Sequence, residues 1–283
     1  MTLETRLILD MPEAEYHAHP ALSSTGAKTL IKDTPALFKH QILDGNRTDK
    51  KAFDVGHAIH AKVLGIGMGV VEIPVDVLSK TGTTGTDAAR AFITEARAQG
   101  LIPLKKSEID QVNASAEAVL VHKFAGPLFE SDGISEATAF AHDDEFDIDL
   151  RARFDRISGN AMIDLKSAAD ASPRGFGKSV ATYRYDIQQE FYRDVHTRAT
   201  GERFERFYFV AVETSRLHGI GVGVYELDFE YELRAIRDVR EAKRRYAHGI
   251  ATGEWPTYSD DVVTLEAPFW LRDYDMNETE YEQ

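Results

Sequence analysis

Three successive strand-like segments in residues 134–168 constrain the fold of this chain more than any other feature. They read ISEATAFAHDD, FDIDLRARFDRISG and AMIDLKSA, and short polar turns separate them. Apolar and β-branched runs bounded by such turns are typical of strands. The turn between the second and third segments is so short that these two strands should pair antiparallel.

The segments on both sides of this region predict an α/β protein. The order of helices, three strands, a helix and further strands favours a central mixed β-sheet flanked by helices, with an N-terminal helical region. In the last helix, Leu233, Ile236 and Val239 or Arg240 should form the packing side. Helices are expected at 24–31, 35–43, 51–65, 85–99, 107–124, 176–199 and 229–249, and further strands at VVEIPV, FERFYFVAVET and GIGVGVYELD.

Two acids and a lysine occupy unusual positions in the paired strands. Asp164 and Lys166 should project from one face of a strand whose other members are apolar. Antiparallel pairing would bring Asp155 close to Asp164. Two carboxylates that close repel each other unless a cation lies between them, and hard cations such as Mg²⁺ take oxygen ligands. The residues alone leave two interpretations open: an ion pair that joins the strands, and a metal site beside a lysine.

Two helices carry further candidate residues. Gly56 and His60 lie four apart on one helix face, with His57 as a competing candidate, although a lone histidine there is more often structural. Gln188 and Tyr192 are also four apart and share a face, from which they could bond phosphate oxygens or a base edge. A polar helix flank would give the same pattern, so neither pair decides the function by itself.

Net charge does not decide whether the partner is a nucleic acid. The chain of 283 residues has a formal charge of −14, which by itself argues against a polyanionic partner. Residues 254–283 contain nine acids and one arginine, so the remaining residues carry only −6. A groove lined locally by lysine and arginine is therefore compatible with the composition.

Cysteine content and hydropathy exclude several classes. The chain has no cysteine, which rules out disulfides, thiolate zinc sites and cysteine-ligated iron–sulfur clusters. No apolar run approaches the roughly 20 residues of a membrane helix, and the N-terminus lacks the pattern of a secretory signal. We expect a protein of the cytoplasm of a bacterial or phage-infected bacterial cell.

Four motifs in a fixed order resemble a known superfamily. The segments GHAIH, RFDRI, IDLK and QQEFY resemble the PD-(D/E)XK nucleases of the RecB-like branch, whose pattern is Gly-x-x-x-His, Asp, Asp/Glu-x-Lys and Gln-x-x-x-Tyr. The opening EYHAHPALSSTGAKTLIKDTPALFKH and the segment GHAIHAKVL are similar to phage RecE-type exonucleases, the exonuclease VIII class. The likeness extends from about Tyr16 to about Gly249.

The resemblance implies a metal centre and assigns its ligands. Gly56 and His60 match the first motif, which makes His60 a metal ligand. Asp155 and Asp164 match the two acids, with the backbone carbonyl of Leu165 as a further ligand. The implied metal is Mg²⁺, for which Mn²⁺ would substitute.

The same resemblance assigns the remaining roles. Lys166 matches the catalytic lysine, and Gln188 and Tyr192 match the motif placed against DNA. Glu136 resembles an acid often found in the strand before the site, with an undefined role. Phe154 stands where the superfamily name has proline.

The implied activity is hydrolysis of linear double-stranded DNA from the 5′ end, in phage-type recombination or repair. The implied partners are double-stranded DNA ends, a single-strand annealing protein, and further copies of the chain in a closed ring. A structure-specific endonuclease and a non-catalytic DNA-binding recombination scaffold are the alternatives.

The resemblance also implies how the chain is divided. Residues 1–253 would form a single nuclease domain, and 254–283 an acidic C-terminal extension. Within the domain, 1–130 would be mainly helical and carry His60, and 134–250 would form the catalytic sheet core.

Overall fold

A mixed sheet with helices on both faces forms the centre of the computed structural model, which describes residues 5–9, 11–46, 52–259 and 261–268. This confirms the fold class predicted from the sequence. The strands are β1 (Arg6–Ile8), β2 (Leu22–Ser23), β3 (Val70–Glu72), β4 (Ile102–Leu104), β5 (Ile134–Asp143), β6 (Ile148–Ser158), β7 (Ala161–Ala168), β8 (Arg206–Glu213) and β9 (Val222–Tyr225). The helices are α1 (Glu13–Ala18), α2 (Ser24–Lys32), α3 (Pro35–Phe38), α4 (Ala52–Leu64), α5 (Asp87–Ala98), α6 (Lys106–Leu120), α7 (Ala125–Glu130), α8 (Pro173–Tyr183), α9 (Tyr185–Thr200) and α10 (Phe229–Thr252).

The larger sheet has the strand order β1-β5-β6-β7-β8-β9, with β2 beside β6. β5, β6 and β7 form the predicted antiparallel meander, and β7 pairs with β8 in parallel. The N-terminal part, predicted to be mainly helical, supplies two short strands to this sheet: β1 pairs antiparallel with β5, and β2 pairs in parallel with β6. Its strands β3 and β4 pair in parallel as a separate sheet.

Side-chain alternation along the central strands divides the core between the two faces of the sheet. Met162 of β7 and Phe209 of β8 pack on the side covered by α2, α8, α9 and α10. Ile163 and Leu165 of β7 pack on the side of α4, α6 and α7. This period of two fixes which helices each polar residue of the central strands can meet.

Two neighbouring strands separate near the middle of the sheet. β6 and β7 pair only at Arg156–Ile163, Ile157–Met162 and Ser158–Ala161. Further along, β2 takes the edge of β6, with Leu22 opposite Leu150. A fork therefore opens between β6 and β7, and Asp155 and Asp164 are the first residues beyond the last pair.

The long helix predicted at 176–199 is wrong, because α8 and α9 meet at a break. Arg184 has a left-handed backbone (φ 54°) and caps the end of α8. Its buried guanidinium bonds Asp186 and Asp238 at 2.8 and 2.6 Å. These ion pairs stabilise a conformation that is costly for a residue with a side chain.

The predicted packing side of α10 is also wrong in part. Val239 is buried as expected, but Leu233 and Ile236 are 49% and 51% exposed, and Arg240 is exposed as well. The buried stripe instead runs through Ala235, Ala242 and Tyr246. Small residues let the helix approach the core closely, and the helical period then turns Leu233 and Ile236 outwards.

The acidic extension begins against the domain. The Trp255 ring lies 5.5 Å from that of Phe38 and 6.4 Å from that of Tyr246, and the Ala36 N–H donates to the Pro256 carbonyl at 3.1 Å. Most of the remaining acids of the extension fall in 269–283, outside the described residues. No helix within the described ranges combines the length and apolarity needed to cross a membrane.

Candidate active site

The fork between β6 and β7 places the two predicted acids opposite each other in the strand register. Strand register places Asp155 opposite Asp164 immediately after the Arg156–Ile163 pair. The Leu165 N–H donates to Asp155 Oδ2 at 2.7 Å, so a side chain accepts the bond where the backbone ladder has ended. The strands can therefore separate without leaving this amide unpaired, which would be costly in a buried site.

His60 approaches the fork from α4. Asp155 alternates with Phe154, which packs on the α9 side, so its carboxylate is directed to the face covered by α4. His60 Nδ1 lies 3.6 Å from Asp155 Oδ2. Gly56, one turn earlier on α4, allows this approach, since a Cβ there would lie 3.1 Å from Ser167 Oγ.

Glu136 completes a cluster with these two residues. The pairs Ser135–Arg156 and Ala137–Phe154 flank it, so Glu136 stands opposite Asp155 in the register. Single ligand atoms of His60, Glu136 and Asp155 all lie within 4.8 Å of one another. Glu136 has φ 55° within a strand, and its Oε2 accepts a 2.6 Å hydrogen bond from Arg153 Nε. Such strain is often found where a side chain must be aimed at a functional site.

Asp164 is held separately, on the opposite face of β7. Its side chain is only 1% exposed and contacts Lys166 Nζ through Oδ2. Gln188 Nε2 of α9 donates to Oδ1 at 2.6 Å. Lys28 Nζ of α2 in turn donates to Gln188 Oε1 at 3.2 Å, which fixes the orientation of the amide because an ammonium can only donate.

Burial and like charge shift the pKa values of the cluster. Burial, together with the Asp164 carboxylate, raises the pKa of Asp155 well above its usual range. Burial and the nearby Lys166 ammonium lower the pKa of His60 to about 3. The His60–Asp155 contact is thus no ion pair near neutral pH, and the imidazole is in the neutral form that metal coordination requires.

Lys166 stays charged despite its surroundings. Burial lowers its pKa, but Asp164 and Asp155 raise it by more, so the net shift is upwards. Its ammonium also lies 5.0 Å from the centre of the Tyr185 ring. Lys166 therefore carries a positive charge beside the fork and does not serve as a base.

Gln188 and Tyr192 have contacts inside the protein. Both are buried. The Tyr192 ring lies 5.3 Å from that of Phe154. Their approach to DNA stays a prediction, as do the catalytic and ligand roles of the other predicted site residues.

The structure adds residues that sequence reasoning missed. Lys28, Arg153 and Tyr185 each contact a predicted site residue. Lys28 lies in the segment STGAKTLIK, whose resemblance to RecE-type proteins offered a signal. Tyr185 and Arg153 carried none, since a tyrosine in a helix and an arginine in a strand are common.

The set of residues in the fork fits a divalent metal. Two carboxylates and one neutral imidazole are close enough to share an ion, and the Leu165 backbone N–H is hydrogen-bonded to one of these carboxylates, Asp155. Carboxylate and carbonyl oxygens suit Mg²⁺ and Mn²⁺. Burial first, and the Asp164 charge second, raise the pKa of Asp155, and a cation held there would offset both effects.

A mixed sheet whose central strands carry an aspartate and an Asp-x-Lys motif at one fork defines the PD-(D/E)XK class of α/β proteins. Residues 23–268 match the family described as "PDDEXK-like domain of unknown function (DUF3799)", and the chain belongs to that family.

The fold is also similar to a solved structure. A crystal structure from Eubacterium rectale, named "Putative exonuclease", superposes with a TM-score of 0.60 at 14% identity, over 95% of this chain and 100% of that chain. At this identity the likeness shows the fold alone. No curated protein matches the sequence. The narrower resemblance to RecE-type exonucleases stays a prediction.

Proposed function

We propose that the protein is a metal-dependent nuclease that hydrolyses phosphodiester bonds of linear double-stranded DNA from an end. The observation that carries the proposal is the fork: three potential ligand atoms lie within 4.8 Å of one another beside a buried lysine that stays charged. Membership of the PDDEXK-like family supports it. So does the name of the E. rectale neighbour.

His60, Glu136 and Asp155 would hold Mg²⁺ or Mn²⁺, and the superfamily resemblance adds Asp164 and the Leu165 carbonyl as ligands. The metal would supply Lewis-acid stabilisation of negative charge on the phosphate and on the leaving oxygen. Burial and the Asp164 charge raise the pKa of Asp155, and a cation held there would favour its ionised form.

The neighbouring residues position the substrate phosphate and water. Lys166, held by Asp164 and facing Tyr185, would stabilise charge on the phosphate and orient the attacking water. Gln188 keeps Asp164 aligned through its 2.6 Å hydrogen bond. In-line attack by that water breaks the P–O bond and leaves a terminal phosphate and a hydroxyl.

The finer parts of the proposal come from the RecE-type resemblance. They are 5′-to-3′ polarity, a closed ring of subunits that encloses the duplex, and delivery of the 3′ overhang to a single-strand annealing protein in recombination. Mass measurement of the protein in solution tests the ring independently of activity.

Degradation of duplexes labelled at the 5′ or the 3′ end, with Mg²⁺ and with EDTA, tests the proposal. We expect metal-dependent release of the 5′ label as short products, and no cleavage of closed circular duplex. Cleavage of the circle would indicate an endonuclease, and DNA binding without any cleavage would indicate a scaffold.

A further inference from the structure

A stack of three aromatic rings leads from the core to the surface beside the candidate active site. Phe209 of β8 is fully buried and its ring stacks on that of Tyr185 (5.8 Å, 23°). Tyr185 stacks in turn on Tyr183 (5.8 Å, 28°). Tyr183 ends the stack and is 56% exposed.

Lys166 lies beside the middle ring of this stack. The Lys166 ammonium lies 5.0 Å from the centre of the Tyr185 ring. The centre of the Tyr183 ring is therefore at most about 11 Å from the Lys166 ammonium. At the 3.4 Å per nucleotide of a duplex strand, this limit corresponds to roughly three nucleotides from the bond that Lys166 would serve.

The stacking of Tyr183 on Tyr185 depends on an energetically unfavourable backbone conformation at Arg184. Tyr183 ends α8, Tyr185 begins α9, and Arg184 between them has φ 54°. A helix that continued through Arg184 would point residues 183 and 185 in directions about 200° apart. The break at Arg184, held by its buried ion pairs with Asp186 and Asp238, is what lets the two rings stack.

Cations from α2 line the same side. Lys32 Nζ donates to the carbonyl of Thr182, the residue before Tyr183, at 2.8 Å. Lys28 Nζ lies 5.8 Å from the centre of the Tyr185 ring. An exposed ring that ends a stack, with cations beside it, is the combination by which proteins bind single-stranded nucleic acid.

We propose that Tyr183 is a nucleobase-binding subsite: a base of the strand being degraded stacks on the outer face of its ring and extends the Phe209–Tyr185–Tyr183 series. The subsite takes any base, because every base has a π-face. This inference rests on the proposed nuclease function for its substrate, and its binding step can be measured without cleavage.

The binding test uses a single-stranded oligonucleotide with one 2-aminopurine and the protein in EDTA. Stacking on the wild-type ring should quench the fluorescence. Tyr183→Phe and Tyr183→Trp should retain the quenching, and Tyr183→Ala should lose it. Tyr258→Ala, which removes a tyrosine that is 93% exposed in the C-terminal segment, is the matched control and should behave as wild type. Equal quenching by wild type and Tyr183→Ala, with the label moved through each position, would overturn the subsite even if the nuclease is active.

The kinetic test uses end-labelled duplex with Mg²⁺. Tyr183→Ala should raise KM roughly five-fold or more, as expected for the loss of one base stack, with kcat little changed. An abasic residue is then placed in turn at each of the first four nucleotides. With the wild type, the abasic residue should raise KM by the same factor at one of these positions. With Tyr183→Ala, it should not raise KM any further. A KM effect that persists unchanged on every abasic substrate would contradict stacking. Absence of wild-type cleavage would reject the proposed function, while the fluorescence result would still decide the subsite.

Discussion

The carboxylate of Asp155 accepts a hydrogen bond from the backbone N–H of Leu165 at 2.7 Å, across the point where β6 and β7 stop pairing. One side chain thus ends the ladder, opens the fork and places a buried acid beside Asp164. The same contact sets the backbone of Leu165 next to His60. The site lies where the two strands diverge, and burial together with the Asp164 carboxylate raises the pKa of Asp155 there.

Divalent cations should stabilise the folded protein through Asp155. We expect Mg²⁺ or Mn²⁺ to raise the Tm, because a cation offsets the repulsion between Asp155 and Asp164. Asp155→Asn should raise the Tm measured in EDTA and abolish most of the metal-induced rise. Asp144→Asn, on an exposed hairpin, is the control and should retain the full rise. A wild-type Tm that does not change when Mg²⁺ or Mn²⁺ is added would contradict metal binding by this cluster.

The pH dependence of stability should separate His60 from Asp155. The folded-state pKa of His60 is lowered from 6.5 to about 3, so its contribution to stability is lost as pH falls through that window. Asp155 acts in the opposite sense: its pKa is raised from 3.8, so stability falls as pH rises above about 4. Each proton contributes a slope of at most about 1.4 kcal/mol per pH unit.

Urea unfolding in EDTA between pH 4 and 8 measures these slopes. In Asp155→Asn only His60 of these two groups titrates, so the free energy of unfolding should rise with pH. In His60→Gln only Asp155 titrates, so the free energy of unfolding should fall with pH. Two variants with curves parallel to that of the wild type would show that neither group has a shifted pKa.

A negative charge at position 188 should destabilise the folded protein. Gln188→Glu places a carboxylate against the buried Asp164, and we expect the free energy of unfolding in EDTA to fall by roughly 3 kcal/mol. Gln41→Glu, at a half-buried position in the π-helix Lys39–Leu43 that follows α3, should change it by no more than about 0.5 kcal/mol. Equal stability of the two variants in urea unfolding would mean that the Gln188–Asp164 hydrogen bond is not formed.

Removal of the Arg184 side chain should destabilise the protein more than removal of Arg237, an exposed residue that bonds the same carboxylate, Asp238. Arg184→Ala leaves Asp186 and Asp238 without their buried partner, which should cost about 3–5 kcal/mol. Arg237 also bonds Asp238, at 3.0 Å, but its side chain is 74% exposed, so Arg237→Ala should cost less than about 1 kcal/mol. Urea unfolding of the two variants compares them directly, and similar losses would contradict the role of Arg184 at the break.

Local pattern and turn length were sufficient to predict the meander from β5 to β7. Each strand there is defined by residues within it, and the turn at Ser158–Asn160 leaves only antiparallel pairing. The relative positions of Asp155 and Asp164 follow from that register. The order of helices and strands along the chain was sufficient to predict the fold class.

The fork and the helix break could not be predicted locally. The pairing of β6 with β7 stops after three residue pairs while β2, more than 120 residues earlier in the chain, takes over the edge of β6. Arg184 is not a helix breaker by propensity, and its left-handed conformation depends on Asp238 in another helix. The outward position of Leu233 and Ile236 likewise depends on how closely the small residues of α10 approach the core.

Cleavage of end-labelled linear duplex by the wild type, Asp155→Asn and Lys166→Met, each with Mg²⁺ and with EDTA, tests the central claim most directly. The wild type should release the label with Mg²⁺ alone. Asp155→Asn should lose both cleavage and the metal-induced rise in Tm, and Lys166→Met should lose cleavage while it keeps that rise. Undiminished degradation by Asp155→Asn, or wild-type cleavage that is unaffected by EDTA, would contradict a metal-dependent site in the fork.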